Sequence, residues 1–165
     1  MKEMVLGIGN TLNGDDGVGV YVMESIDKYF RKGKGAKQAG AETEREVIAI
    51  NCGTSPENYT SVIRRHNPDM LILVDAADMG LSPGSSRTIP PEKIGIMLFS
   101  THDVPLSLFI SYVSEFCRDV VLIGIQPGKL EVGTALSNTV QQGGNRVADL
   151  IIKKRLDEIK PLETY

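Results

Sequence analysis

The sequence predicts an α/β protein, a three-layer sandwich in which a mainly parallel, twisted sheet carries helices on both faces. Apolar runs of strand length alternate with segments of helical periodicity along the 165 residues, and no long series of consecutive strands occurs. The strongest run, Met70 to Val74, is continuously apolar, as is typical of a parallel strand that is buried on both faces.

Composition narrows the class of protein. The chain is 41% hydrophobic and 24% charged, which predicts one well-filled core and a single domain over residues 1–165. A net charge of −3 provides no basic field for nucleic acid. No run has the length of a membrane span, no signal-peptide pattern is present, and Cys52 and Cys117 lie far apart. We therefore expect a cytoplasmic protein that binds neither nucleic acid nor membrane.

The stretch from Met4 to Gly19 predicts a buried strand, a tight glycine-containing loop, and a helix from about Asp16 to Phe30. Asp15 and Asp16 open that helix, and one of them is enough to cap it. A second carboxylate at the carboxyl end of a strand, where open α/β sheets bind ligands, indicates a functional role for at least one of the pair.

A dinucleotide site is the main competing interpretation of this loop, because Gly7 and Gly9 match the start of a G-x-G-x-x-G motif. The third glycine would fall at position 12, which is Leu12. Two aspartates at the start of the helix would also repel a pyrophosphate. A carboxylate pair suits a cation or a proton transfer instead.

The segment from residue 32 to residue 46 is polar and rich in glycine and charge, so we expect a flexible, solvated surface connection. A second strand follows at Val47 to Ile50. A helix is expected next, with Ser55 as its N-cap and Pro56 at the first helical position, and it should end near His66.

Asp75 directly follows the strongest strand. A buried carboxylate at this position is costly unless it is paired, hydrogen-bonded or bound to a metal, and the sequence leaves a structural role and a ligand role open. Asp78, in the following segment, has the features of a turn former. A short edge strand is expected at Arg87 to Pro90.

His102 stands in a loop just before a helical pattern that runs through Phe116. Such loops project over the same end of the sheet as Asp16 and Asp75. A fourth apolar strand follows at Val120 to Ile125, and a final helix from about residue 138 to residue 158. If Asp16, Asp75 and His102 converge, their oxygen and nitrogen donors suit Ni, Zn, Mn or Fe.

Several segments, in order along nearly the whole chain, resemble the hydrogenase maturation endopeptidases, which trim the C-terminal tail of the large subunit of nickel-iron hydrogenases. The matching residues are Gly7 to Asn10, Asp15 to Gly17 with Gly19, Cys52 to Thr54, Leu71 to Ala76, Ser100 to His102, and Gly124 to Pro127. The runs Val74 to Leu81 and Ser55 to Asn58 are similar to the branch that serves formate-hydrogenlyase-type hydrogenases.

The resemblance implies a five-stranded sheet and a metal-dependent recognition step. In that family the residues at the positions of Asp16, Asp75 and His102 bind the nickel already inserted into the precursor, so cleavage follows nickel loading. The implied partner is therefore a nickel-loaded large-subunit precursor, which supplies the metal. Many relatives carry Asp where this chain has Asn51, which removes one candidate general base.

Two hypotheses follow for the activity. The first is a nickel-recognising peptidase whose site residues are Asp16, Asp75 and His102. The second is a non-catalytic checkpoint protein that binds the nickel-loaded precursor. Ser100, Thr101 and Cys52 are conceivable nucleophiles, but none has a base partner evident in the sequence, and Cys52 has the character of a small buried apolar residue.

Overall fold

The structure, a computed structural model, describes residues 1–33, 44–97 and 103–163. Its strands are β1 (Lys2–Ile8), β2 (Glu46–Gly53), β3 (Met70–Ala76), β4 (Ser86–Thr88) and β5 (Asp119–Ile125). Its helices are α1 (Val18–Arg31), α2 (Thr60–His66), α3 (Ile94–Met97), α4 (Leu106–Val113) and α5 (Asn138–Ile152). Four short 3-10 turns, at Gly14–Gly17, Pro56–Tyr59, Pro91–Lys93 and Leu156–Glu158, complete the described elements.

The five strands form one sheet in the order β2-β1-β3-β5-β4. β1, β2, β3 and β5 run parallel, and the short β4 pairs antiparallel with β5 at one edge. The predicted edge strand is therefore confirmed. β1 and β3 lie side by side in the interior of the sheet, which explains their nearly complete burial.

The side chains of the strands alternate between two cores, as a pleated strand requires. One core joins Leu71 and Leu73 of β3 to α2 and α4, which contribute Ile63 and Phe109 among others. The opposite core joins Ile72 and Val74 to α1 and α5. The predicted three-layer α/β sandwich is confirmed.

Two glycines allow close backbone contacts, Gly19 between α1 and the sheet and Gly9 between the loop after β1 and the following 3-10 turn. A methyl group on Gly19 would lie 2.2 Å from the carbonyl oxygen of Val74 and 2.4 Å from that of Ile8. Gly9 has a φ of +139°, and a methyl group there would lie 1.9 Å from the carbonyl oxygen of Asp16. The tight loop predicted from the glycines is thus explained by close approach to the chain's own backbone.

Several helix boundaries differ from the sequence prediction. The helix predicted from Pro56 begins as a 3-10 turn, so α2 starts only at Thr60, and α4 ends at Val113 and does not continue through Phe116. Asp15 and Asp16 belong to a 3-10 turn, and α1 begins only at Val18. The last helix ends at Ile152 because Lys154 adopts a left-handed conformation with a φ of 58°. The amide of Arg155 then donates to the carbonyl oxygen of Leu150 at 2.8 Å and closes the helix end.

The prediction that residues 32–46 form a flexible surface connection stays a prediction, because residues 34–43 lie outside the described part. Arg45, at the end of this segment, makes contacts that the sequence did not indicate. The Arg45 Nε atom donates to Glu3 Oε2 at 2.5 Å, and its Nη atoms donate to the carbonyl oxygens of Ile151 and Ile152. Both partners of this ion pair are largely buried. Arg45 therefore joins β1 to the end of α5.

Candidate active site at the switch point of the sheet

The site lies where the path of the chain changes direction. From β1 the chain passes through α1, on one face of the sheet, to β2. It then returns through α2, on the other face, to β3 on the opposite side of β1. The carboxyl ends of β1 and β3 therefore open a crevice, which is where open α/β sheets bind ligands.

Asp16 follows β1 into this crevice. Its side chain is buried, and Oδ2 accepts a hydrogen bond from the backbone amide of Asn10 at 2.9 Å. The side-chain oxygen of Asn10 in turn accepts the amide of Leu12 at 3.0 Å. The loop after β1 is thus organised around the Asp16 carboxylate.

Asp75 lies inside β3 and does not follow it as predicted, since the strand continues to Ala76. It is buried, and Oδ1 accepts the amide of Ala76 at 2.8 Å. By alternation, Asp75 projects from the same face as Leu71 and Leu73, the face covered by α2 and α4. Asp75 thus stands at the end of β3, and Asp16 lies in the 3-10 turn that follows the adjacent strand β1.

The third predicted ligand, His102, lies outside the described residues, as do Ser100 and Thr101. Among residues 1–33, 44–97 and 103–163, no group of three His, Cys, Asp or Glu side chains is placed to hold a metal ion. The proposed set of Asp16, Asp75 and His102 therefore stays a prediction.

Asp15 has a structural role that the sequence did not reveal. Its Oδ2 accepts the amides of Gly128 and Lys129 at 2.9 and 2.7 Å and the Ser137 hydroxyl at 3.0 Å. Its Oδ1 accepts the amide of Ser137 at 2.7 Å. Burial raises the pKa of Asp15, but these hydrogen bonds outweigh burial and hold the pKa below its ordinary value.

Gln126 is a second residue that sequence reasoning passed over. It is buried, and its Oε1 accepts the amides of Met79 and Leu81 at 2.6 and 3.3 Å. Its Nε2 donates to Asp78 Oδ1 at 3.2 Å. Gln126 therefore fixes the loop after β3 to the end of β5, and Asp78 contributes to that loop, as expected of a turn residue.

Cys52 and Asn51, at the end of β2, are not suited to catalysis. Cys52 is buried, and burial together with the nearby charge of Glu57 raises its pKa to about 12, so the thiolate nucleophile does not form. Asn51 is exposed, and its Oδ1 accepts the amide of Gly53 at 2.9 Å. Asn51 therefore stabilises a turn.

Comparison with known proteins identifies the class. Residues 20–154 match the family model described as hydrogenase maturation protease, HycI. The chain is 30% identical over 164 residues to a putative hydrogenase maturation protease of Methanocaldococcus jannaschii, covering 96% of this chain and 90% of that protein. It is 35% identical over 128 residues to the hydrogenase 3 maturation protease of Escherichia coli K12, covering 77% and 74%.

Solved structures of hydrogenase maturation proteases have the same fold as this chain. The solution structure of the endopeptidase HycI from Escherichia coli superimposes with a TM-score of 0.79 at 28% identity, covering 99% of this chain and 97% of that one. The crystal structure of a [NiFe] hydrogenase maturation protease HycI from Thermococcus kodakarensis gives 0.75 at 31% identity, covering 93% and 92%. The fold is thus that of solved hydrogenase maturation proteases. The chain belongs to the hydrogenase maturation protease family, which confirms the resemblance and the prediction of a hydrolase.

Proposed function

We propose that this protein is the endopeptidase that removes the C-terminal tail of a nickel-iron hydrogenase large-subunit precursor after nickel insertion. The observation that carries the proposal is the placement of two buried carboxylates, Asp16 and Asp75, at adjacent strand ends in a peptidase of this family. Buried carboxylates at the switch point are positioned to act on a ligand that enters from the carboxyl edge.

Nickel, in this proposal, arrives with the substrate. Two carboxylate oxygens and the imidazole of His102 form a donor set that suits a divalent first-row metal. Asp16 and Asp75, with His102, would bind the nickel of a loaded precursor and hold the adjacent tail against the same edge of the sheet. A precursor without nickel lacks this attachment, so the metal acts as the signal that assembly is complete.

Exposed apolar side chains around the edge suit a protein substrate. Leu12, in the loop after β1, is 72% exposed, and Val132, in the loop after β5, is 80% exposed. The amide of Gly133 donates to the carbonyl oxygen of Leu12 at 2.9 Å, so the two loops are joined. Leu108, at the start of α4, is 61% exposed. Large apolar side chains beside a site are typical of protein interaction surfaces.

The proposed location is the cytoplasm. Both Cys52 and Cys117 are buried free thiols, as is usual in a reducing compartment. No helix in the described part of the chain has the length and apolar character needed to cross a membrane.

The test is incubation of the purified protein, with no other component, with nickel-loaded and with nickel-free precursor. Mass spectrometry should show a shortened large subunit only with the loaded precursor. Binding without shortening would instead favour the checkpoint hypothesis. Equal cleavage of both precursors would refute nickel recognition.

Variants connect the activity to the residues. Asp16→Ala and His102→Ala should abolish processing. Asp16→Ala removes a hydrogen bond from the loop after β1 but nothing from either apolar core, so circular dichroism should still show a folded protein. Normal processing by either variant would remove that residue from the site.

A further inference from the structure

Glu57 has a buried side-chain oxygen with no hydrogen-bond partner among the described residues. It lies in the 3-10 turn Pro56–Tyr59 after β2, and Oε2 is buried without a hydrogen-bond partner. Among the described residues, no other buried side-chain oxygen or nitrogen is in this condition. A buried carboxylate oxygen without a donor costs free energy, so its presence needs a physical explanation, and a catalytic role is one that buried polar groups can have.

The turn that carries Glu57 adjoins the candidate site. Cys52, whose pKa is raised in part by the charge of Glu57, belongs to the same core cluster as Ile8 and Leu73. Asp75 stands two residues beyond Leu73 and so projects from that same face of the sheet. β2 and β3 both neighbour β1, so their ends are two strand spacings apart, about 10 Å.

A hydrogen-bonded path joins this turn to Asp16. The amide of Gly9 donates to the carbonyl oxygen of Gly53 at 2.8 Å, and the next residue, Asn10, donates its amide to Asp16. The ends of β2 and β1 are therefore held together, with Glu57 beside one end and Asp16 beside the other. Glu57 therefore follows the end of β2 and Asp75 stands at the end of β3, on the two sides of β1.

Other polar side chains at this edge already serve the fold. Asp15 accepts four hydrogen bonds from the loop after β5 and the start of α5. Asp78 accepts a hydrogen bond from Gln126, and Asn51 accepts one from Gly53. Glu57 differs from these three because its buried oxygen is not used in such a bond.

We propose that Glu57 is the general base of peptide hydrolysis, an inference that rests on the proposed function. Its carboxylate takes a proton from a water molecule as the water oxygen bonds to the scissile carbonyl carbon. The carbon–nitrogen bond then breaks, and the proton passes from Glu57 to the leaving nitrogen. The products are a shortened large subunit with a new carboxylate and a released tail with a new amine.

Glu57→Gln tests this role because it keeps the shape of the side chain and removes the base. The experiment measures kcat and KM by varying the concentration of nickel-loaded precursor. The melting temperature checks that the variant is folded. We expect kcat to fall at least about 100-fold, the usual contribution of a general base, with KM little changed. The melting temperature should change little, since Oε2 has no hydrogen bond to lose.

Asp78→Asn is the matched control, because it removes an exposed carboxylate at the same edge and should leave kcat unchanged. Cleavage by the wild-type protein tests the proposed function, and the ratio of the variant's kcat to the wild-type kcat tests the role of Glu57. Failure of the proposed function can therefore be told apart from failure of the Glu57 assignment. A folded Glu57→Gln protein with kcat within about threefold of the wild type would overturn the assignment. A raised KM with unchanged kcat would also overturn it.

Discussion

Replacing Asp15 with Asn should destabilise the protein strongly, although the two side chains have nearly the same shape. The carboxylate accepts hydrogen bonds on both oxygens from Gly128, Lys129 and Ser137. An amide has one acceptor oxygen, so its NH₂ group must face an N–H donor in either orientation. The change therefore leaves at least one buried donor unsatisfied and weakens the bonds that remain.

The magnitude follows from these bonds. An unsatisfied buried amide costs about 1–3 kcal/mol, and the three surviving bonds lose charge assistance, which is worth about 0.5–1 kcal/mol each. The sum is about 4 kcal/mol of unfolding free energy. For a chain of this length, about 2–4 °C per kcal/mol gives a fall in melting temperature of about 8–16 °C.

Urea unfolding at pH 7 measures the loss, and Asp149→Asn is the control. Asp149 pairs with Lys153 on the surface of α5, so its replacement should cost under about 0.5 kcal/mol. If Asp15→Asn costs no more than Asp149→Asn, the four hydrogen bonds do not stabilise the fold and the argument fails.

The difference between wild type and Asp15→Asn should also depend on pH. The folded-state pKa of Asp15 lies below its ordinary value of 3.8, so folding favours the charged form. The stabilisation is fully present above about pH 4 and is lost as the pH falls through the folded pKa. A stability difference that grew on acidification below pH 4 would contradict this assignment.

Two further variants test the packing. Arg45→Met should cost about 3–5 kcal/mol in urea unfolding because it leaves the buried Glu3 carboxylate unpaired. The control, Arg31→Met, breaks an exposed pair and should cost under about 0.5 kcal/mol. Equal losses in the two variants would show that the Arg45 pair does not stabilise the fold. Gly19→Ala should cost about 3 kcal/mol in thermal unfolding, the upper end for overpacking, because its methyl group meets backbone oxygens. Gly95→Ala has open space and should be neutral or slightly stabilising. A Gly19→Ala protein as stable as the wild type would contradict the close packing of α1.

The placement of Asp16 and Asp75 at one edge of the sheet could be predicted from local patterns and topology. Asp75 terminates a continuously apolar run, and Asp16 follows the first strand; parallel strands bring such ends to one edge of the sheet. The alternation of side chains along β3 also determines the face from which Asp75 projects. These inferences need only the order and direction of the strands.

Contacts between distant segments could not be predicted in this way. The partners of Asp15 lie 113 to 122 residues away, so the sequence shows two adjacent aspartates without showing that one of them joins two loops. Arg45 lies in a polar, charged segment, and its burial depends on Glu3, 42 residues earlier. The orphaned oxygen of Glu57 is likewise visible only once the turn is packed on the sheet.

The assignment of Asp75 to the processing site is tested most directly by Asp75→Asn, measured as the rate of tail removal from nickel-loaded precursor by mass spectrometry. Asn keeps the shape of Asp but lacks the anionic oxygen that a divalent metal requires. Asp119→Asn, at the exposed opposite end of the neighbouring strand β5, is the control. We predict that Asp75→Asn folds normally and loses processing at least about 10-fold, the lower range for a disturbed metal site, while Asp119→Asn processes normally. A folded Asp75→Asn protein that processes precursor at the wild-type rate would show that Asp75 is a structural residue and would contradict the proposed site.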